Sequence, residues 1–223
     1  MGALSWLRRQ LAALAMLLPL VPCALHAGDL AVRVLDKAGN PLADAVVYAE
    51  PAGGQALPAR AAQEATMDQA GKAFSPRVLV VQVGDRVRFP NSDDIRHHVY
   101  SFSDAKSFEL PLYAGTPAEA IGFPMPGVVA LGCNIHDWMR AHIVVLPSPY
   151  HALTDATGAG LIPGLPEGAW QLRAWHSGLP DPMPVAGPRI DSTAASQTVE
   201  IRLEPKPQPR IRRAPGARRS DQY

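Results

Sequence analysis

The 223-residue sequence predicts an all-β protein, and three observations favour this class. Short Val-rich runs alternate apolar with polar residues, which is the period of a half-buried strand. The 23 prolines and 18 glycines supply frequent turns between those runs. Residues 28–223 contain no long amphipathic helical period, apart from a weak one over 61–70.

The first 27 residues have the composition of an export signal that is removed from the mature protein. Arg8 and Arg9 form its positive end, and the apolar run Leu11–Leu20 is too short for a confident membrane span. Ala27 offers a cleavage point, so we expect a periplasmic protein with no membrane span in the mature chain. The paired arginines leave twin-arginine export open beside the general route, whereas Pro22 argues against lipoprotein processing.

Formal charge is unevenly distributed along the chain, whose net value is +1. Six basic residues and one acidic residue follow Glu204, in a segment rich in proline and poor in apolar residues. We expect residues 205–223 to form a disordered basic tail. The mature chain before that tail then has a formal charge near −6, which argues against a nucleic-acid partner.

The N-terminal half of the mature chain contains two regions with strand patterns. Leu30–Glu50 reads as two strands separated by a turn at Asp36–Pro41, and a Pro- and Gly-rich connection follows over 51–63. Arg77–Phe89 alternates between apolar and polar residues with a break at its Gly-Asp step. This alternation predicts one apolar face, formed by Leu79, Val81, Val83, Val87 and Phe89.

Five further runs predict strands, and two of them flank a short polar segment. His97–Phe102 is a strand candidate after a polar turn. Gly127–Gly132 and Ala141–Leu146 are apolar and are expected to be adjacent core strands, so residues 133–139 would form the turn between them. Trp170–Trp175 and Gln197–Leu203 alternate in the C-terminal third.

The turn between the two central strands contains Cys133, His136 and Met139. A thiolate, an imidazole and a thioether form a soft ligand set that suits copper, with the thioether typical of a weak axial position. The adjacent pair His97 and His98 supplies a further imidazole upstream.

Cys133 becomes the only cysteine of the mature chain, because Cys23 leaves with the signal. A single thiol in an oxidising compartment is typical of metal ligation or of a buried, inert residue. Structural zinc rarely uses a thioether, and Cys–His nucleophilic chemistry assigns no role to Met139. A buried triad without metal is the remaining alternative.

These residues belong to a longer pattern that resembles the cupredoxins. It comprises Val83-Gly84-Asp85-Arg86-Val87-Arg88-Phe89-Pro90-Asn91, then His97-His98-Val99, then Cys133-x-x-His136-x-x-Met139. The short Cys-x-x-His-x-x-Met loop is most similar to that of amicyanin, whereas plastocyanins have a longer gap before the methionine. The resemblance implies a Greek-key cupredoxin β-sandwich over residues 63–147 that holds copper in one type 1 site.

The resemblance also implies the ligands of that copper. They would be His97, Cys133 and His136 in the equatorial positions and Met139 in the axial position. The cupredoxin pattern His-x-Val favours His97 over His98, which would point to the opposite face of its strand. Backbone N–H groups of Asn91 or Asn134 are candidate donors to the cysteine sulfur. Trp138 could form an apolar docking patch beside His136 or pack in the core.

The segments on either side of this domain resemble a second family. Val32-x-Val34-x-Asp36-x-x-Gly39-x-Pro41 is similar to the opening of the carboxypeptidase-regulatory, transthyretin-like β-sandwich. Thr154-Asp155-x-x-Gly158, followed by Leu165-Pro166-x-Gly168, is similar to the middle of that module. The resemblance therefore implies that residues 28–62 and 148–204 form one small sandwich split around the copper domain. The alternative is an extra hairpin on the copper domain.

Together these observations predict an exported type 1 copper protein that carries single electrons and has no catalytic site. Its partner would be a redox protein such as a cytochrome or a dehydrogenase. A copper carrier or sensor without electron shuttling, and a metal-free interaction module, are the alternatives. His142 is expected to face solvent, and His151 and His176 are expected to be surface or packing residues.

Overall fold

The computed structural model describes residues 27–117 and 119–206. All the regular secondary structure within these residues consists of β-strands. The predicted all-β class is therefore confirmed. Within these ranges no helix is long and apolar enough to span a membrane. Most of the expected export signal (1–26) and most of the expected tail (207–223) lie outside the described residues.

The strands of the described residues are numbered in chain order. They are β1 Ala27–Leu35, β2 Val46–Pro51, β3 Glu64–Thr66, β4 Asp68–Gln69, β5 Phe74–Ser75, β6 Val78–Gln82, β7 Arg86–Arg88, β8 His97–Ser103, β9 Lys106–Tyr113, β10 Ile121–Gly122, β11 Gly127–Gly132, β12 Arg140–Leu146, β13 His151–Leu153, β14 Ala159–Pro166, β15 Gly168–Trp175, β16 Val185–Ser192 and β17 Gln197–Arg202.

The two N-terminal strands pair with strands from the C-terminal third of the chain. In β1, Val32 lies opposite Gly160 of antiparallel β14 and opposite Val199 of parallel β17. Strand β2 lies between β13 and β15 in a second sheet that ends with β16. Alternate residues of β1, including Leu30 and Val34, enter a core shared by both sheets.

These pairings support a division of the chain into two modules. We propose that residues 28–62 and 148–204 form one unit, here called the outer module. Residues 63–147 interrupt it in sequence and are here called the inner module. The proposal explains why both hydrogen-bonded neighbours of β1 come from beyond residue 158.

The inner module contains a five-stranded sheet of order β6-β12-β11-β8-β9 and a smaller sheet of order β10-β7-β3. Strands β11 and β12 are antiparallel neighbours, as predicted, with Gly132 opposite Arg140 at the end of the pair. Apolar residues of both sheets, such as Val87, Val129 and Ile143, share one buried core. The pair β11–β12 therefore holds both ends of the segment 133–139.

A turn separates β6 from β7 at the predicted break. Gly84 has a φ of 94°, a left-handed conformation that glycine adopts without steric cost. Val83 is 42% exposed, so the expectation that it shares the buried face of Val87 is wrong. The turn interrupts the strand alternation at this residue, and the side chain points to solvent.

An apolar junction joins the two modules. The outward face of the five-stranded sheet contacts the outer module through buried side chains, namely Val46, Tyr48, Val78, Val128, Val144, Leu146 and Trp175. The ring of His142 lies beside this cluster, with its centroid 5.1 Å from that of Trp175. The expectation of a solvent-facing His142 is therefore wrong, because the outer module covers that part of the sheet.

Candidate metal centre

Two consecutive turns shape the loop between β11 and β12. The backbone N–H of His136 donates to the carbonyl of Cys133 at 3.4 Å, and the N–H of Met139 donates to the carbonyl of His136 at 2.9 Å. Each of these hydrogen bonds joins residues three apart in sequence, which is the spacing of the three predicted ligands. The sequence spacing therefore corresponds to a compact loop whose ends are held by paired strands.

Strand β8 brings His97 to this loop. Ligand atoms of His97, Cys133 and His136 all lie within 4.8 Å of one another, and all three residues are buried. The Cys133 sulfur is 3.9 Å from Nδ1 of His136, and Cys133 is a free thiol. The rings of His97 and His136 have centroids 5.0 Å apart. Three potential ligands thus converge without any covalent link between them.

The orientation of His97 follows from its contact with Asp93. The Nε2 atom of His97 is 2.7 Å from the Asp93 carboxylate, whereas its Nδ1 atom is buried and has no hydrogen-bond partner among the described residues. Burial opposes ionisation of Asp93, but hydrogen bonds from the Lys72 N–H, from His97 and from the Gly71 N–H hold its pKa below the ordinary value. An ionised carboxylate is only an acceptor, so Nε2 carries the proton and Nδ1 keeps its lone pair.

His98 takes no part in this cluster. Its Nε2 atom is 2.7 Å from the Glu109 carboxylate on neighbouring β9, and its ring contacts Tyr100 at a centroid distance of 5.5 Å. Successive strand residues point to opposite faces, so His98 lies on the outward face of the sheet. The structure therefore brings His97 to the cysteine, as the sequence pattern favours.

Comparison with known proteins found similarity among solved structures, whereas no family model and no curated protein matched. A purple cupredoxin from Nitrosopumilus maritimus is 22% identical, with 37% of this chain and 99% of that chain covered and a TM-score of 0.33. A methionine-to-glutamine mutant of amicyanin in its Cu(I) form is 23% identical, with 37% and 82% covered and a TM-score of 0.34.

A third solved structure is an enzyme, the Cu-containing nitrite reductase from Thermus scotoductus. It is 26% identical to this chain, and the match covers 52% of this chain and 28% of the reductase chain, with a TM-score of 0.34. These similarities concern only part of this chain.

In the inner module, His136 is the predicted ligand nearest to the surface. It is 9% exposed and lies beside Ile135, which is 48% exposed. Burial is the largest cause that lowers the pKa of His136. A neutral imidazole is the form that binds a metal. The Trp138 ring lies 5.0 Å from that of His136 and is partly buried against the core.

Met139 is 1% exposed and belongs to the same buried cluster as Cys133. The residues present fit a copper ion in two respects. They supply one thiol and two imidazoles at short mutual distances, and one of those imidazoles has a buried nitrogen without a partner in residues 27–117 and 119–206. A soft donor set with a nearby thioether is typical of a copper site. Metal binding by these four residues stays a prediction.

Sequence reasoning missed the polar residues that support the cluster. The carboxylate of Asp93 is identified only by the fold, although its position four residues before His97 is a local signal. The suggested donor from Asn91 to the cysteine sulfur is wrong, because that N–H donates to the carbonyl of Gly115 at 2.8 Å. The Asn91 side chain instead donates to the carbonyls of Ile95 and Tyr113, and so braces the segment before His97.

Proposed function

We propose that this chain is an exported type 1 copper protein that carries single electrons between redox partners. One observation supports the proposal above all others: ligand atoms of His97, Cys133 and His136 lie within 4.8 Å of one another in a buried site. A trigonal His₂Cys set with a weak axial thioether is the donor set of electron-transfer copper sites. Met139 would supply that thioether.

The protein contributes a rigid mount for the ion. His97 would bind through Nδ1, because Asp93 occupies the other ring nitrogen. Cys133 would bind as a thiolate, with its proton lost to solvent on metal binding. Copper supplies a one-electron couple between Cu(I) and Cu(II). The strands on both sides of the ligand loop limit movement of the side chains between the two states, which favours fast electron exchange.

Electrons would enter and leave through His136. This residue is the most exposed of the four predicted ligands, and the exposed Ile135 and partly buried Trp138 adjoin it. An apolar patch of this kind suits a transient contact with a redox protein such as a cytochrome or a dehydrogenase. We propose no catalytic reaction for this chain.

Export to the periplasm is part of the same proposal. Residues 1–27 have the pattern of a signal, and its removal would leave Cys133 as the only thiol. The outer module would serve stability or interaction, because its resemblance to a transthyretin-like sandwich implies no catalytic site.

Absorption spectroscopy tests the copper site. Metal-free protein given Cu(II) should develop a strong band at about 600 nm from the Cys133 thiolate. Cys133→Ser should abolish the band, and correctly loaded wild-type protein without it would overturn the proposal. The adjacent histidines provide a matched pair: His97→Gln should lose the band and His98→Gln should keep it.

Voltammetry then separates an electron shuttle from a copper carrier or sensor. A shuttle should show a reversible one-electron couple with fast electron exchange, since its ligands move little between oxidation states. A sluggish or irreversible couple in protein that has the absorption band would favour the carrier. Absence of copper binding altogether would favour a metal-free interaction module.

A further inference from the structure

Three donors converge on the carboxylate of Asp93, beside the predicted copper site. The N–H groups of Gly71 and Lys72 donate to its two oxygens at 2.6 and 2.9 Å. His97 donates from Nε2 at 2.7 Å to the same oxygen as Lys72. The Asp93 side chain is 14% exposed and that of His97 is fully buried. The carboxylate therefore joins the turn at residues 71–72 to a predicted ligand.

The same turn contacts the ligand loop from its other side. Gly71 and Lys72 have φ values of 62° and 59°, so two successive residues are left-handed and their N–H groups point together. The carbonyl of Lys72 accepts a hydrogen bond from the Trp138 indole N–H at 3.1 Å. The Trp138 ring in turn lies against His136. A polar relay thus runs from one predicted ligand, through Asp93 and Lys72, to the loop that carries the others.

We propose that Asp93 is a positioning residue, which holds His97 with Nδ1 toward Cys133 and His136 and couples that histidine to Trp138 of the ligand loop. This inference rests on the proposed function, since the partner of Nδ1 would be copper. Because the buried Nδ1 has no hydrogen-bond partner in the part of the chain that the structure describes, the relay holds it ready for a ligand. The predicted copper site would therefore already be assembled in the metal-free protein.

The first test uses the full-length, metal-free protein and needs no copper. Long-range ¹H–¹⁵N spectra of the imidazoles should show His97 as the neutral tautomer with the proton on Nε2. In Asp93→Ala and Asp93→Asn a population with the proton on Nδ1 should appear. Asp94→Asn makes the same charge change at an exposed neighbour and should leave the His97 signals unchanged. If the tautomer of His97 is unchanged in Asp93→Ala, Asp93 only caps the turn at residues 71–72, and the inference is overturned.

The second test measures Cu(I) affinity by competition with a chromophoric chelator. Asp93→Asn should weaken binding by roughly 10–100-fold, the usual effect of removing a group that orients a metal-binding histidine. Trp138→Phe keeps the ring and removes only the N–H, so it should weaken binding less. If the relay couples them, the double variant should lose less than the product of the two single effects. Affinities of Asp93→Asn within twofold of wild type would contradict the proposal.

The results also distinguish a failure of this inference from a failure of the proposed copper function. Wild-type protein without the absorption band would refute the type 1 copper assignment, whereas the tautomer of His97 in metal-free protein is measured independently of it. A band of normal intensity, together with an unchanged tautomer in Asp93→Ala, would refute the role of Asp93 alone. Circular dichroism of each variant confirms that the sheets are intact.

Discussion

Acidification should weaken the junction between the two modules, because His142 is partly buried there in its neutral form. His142 lies on β12 opposite Ala130, and its ring contacts Trp175 of the outer module. Burial, followed by the charges of Arg77, His176 and Arg140, lowers the pKa of His142 from 6.5 to about 4. The unfolded chain therefore binds a proton below pH 6.5 that the folded protein excludes.

The magnitude follows from the two pKa values. Between about pH 6.5 and 4 the unfolded state binds more protons than the folded state, so the free energy of unfolding falls as the pH falls. At about 1.4 kcal/mol per pH unit, the whole window corresponds to about 3 kcal/mol. About 2 kcal/mol of this would be lost between pH 7 and pH 5.

Urea unfolding of metal-free protein at pH 7 and pH 5, followed by tryptophan fluorescence, measures this loss. His142→Gln is the comparison, since glutamine does not titrate. Wild type should lose about 2 kcal/mol more than the variant over this interval. Burial also lowers the pKa values of His151 and His176, but these residues titrate in both proteins and their effects cancel. An equal pH dependence in the two proteins would refute the argument from burial.

Three further substitutions test other parts of the structure. Asp85→Ala removes a buried carboxylate that accepts two backbone N–H groups and the guanidinium of Arg60, and should lower the free energy of unfolding by roughly 1–3 kcal/mol. A loss below about 0.5 kcal/mol in urea would contradict this anchoring role. Met139→Leu keeps the buried volume and removes the thioether, so copper-loaded protein should keep its band and show a higher potential in voltammetry; an unchanged potential would argue against Met139 as a ligand. Gly132→Ala would place a methyl carbon 2.7 Å from the Tyr100 ring and should destabilise by roughly 1–3 kcal/mol, measured by thermal unfolding. Adding Tyr100→Ala should relieve the clash, so strictly additive losses would contradict it.

The predicted metal centre shows how much can be predicted from the spacing of residues in the sequence. The interval of three residues between Cys133, His136 and Met139 indicated the ligand loop, and the apolar runs beside it indicated the strands that hold it. The choice of His97 rested on strand alternation, and the structure brings that residue to the cysteine. The role of Asp93 needed the fold, because its other partners lie about twenty residues earlier on a separate turn.

Two edge strands were not predicted from the sequence. Strand β9, Lys106–Tyr113, forms one edge of the five-stranded sheet, and β16, Val185–Ser192, forms one edge of the four-stranded sheet. Neither strand contains a run of buried residues, since each has few neighbours to cover it. Gly187 and Pro188 weaken the signal of β16 further.

The sequence alone determined the all-β class, the ligand loop and the inward faces of the central strands, because these depend on residues close together in the chain. Tertiary structure decided which outward faces are covered. His142 alternates as a solvent-facing residue would, yet Trp175 of a distant strand covers it. Tertiary structure also decided the pairing of β1, whose partner strands come from beyond residue 158. Alternation is a local property of a strand, whereas burial of its outer face depends on contacts between segments that are far apart in sequence.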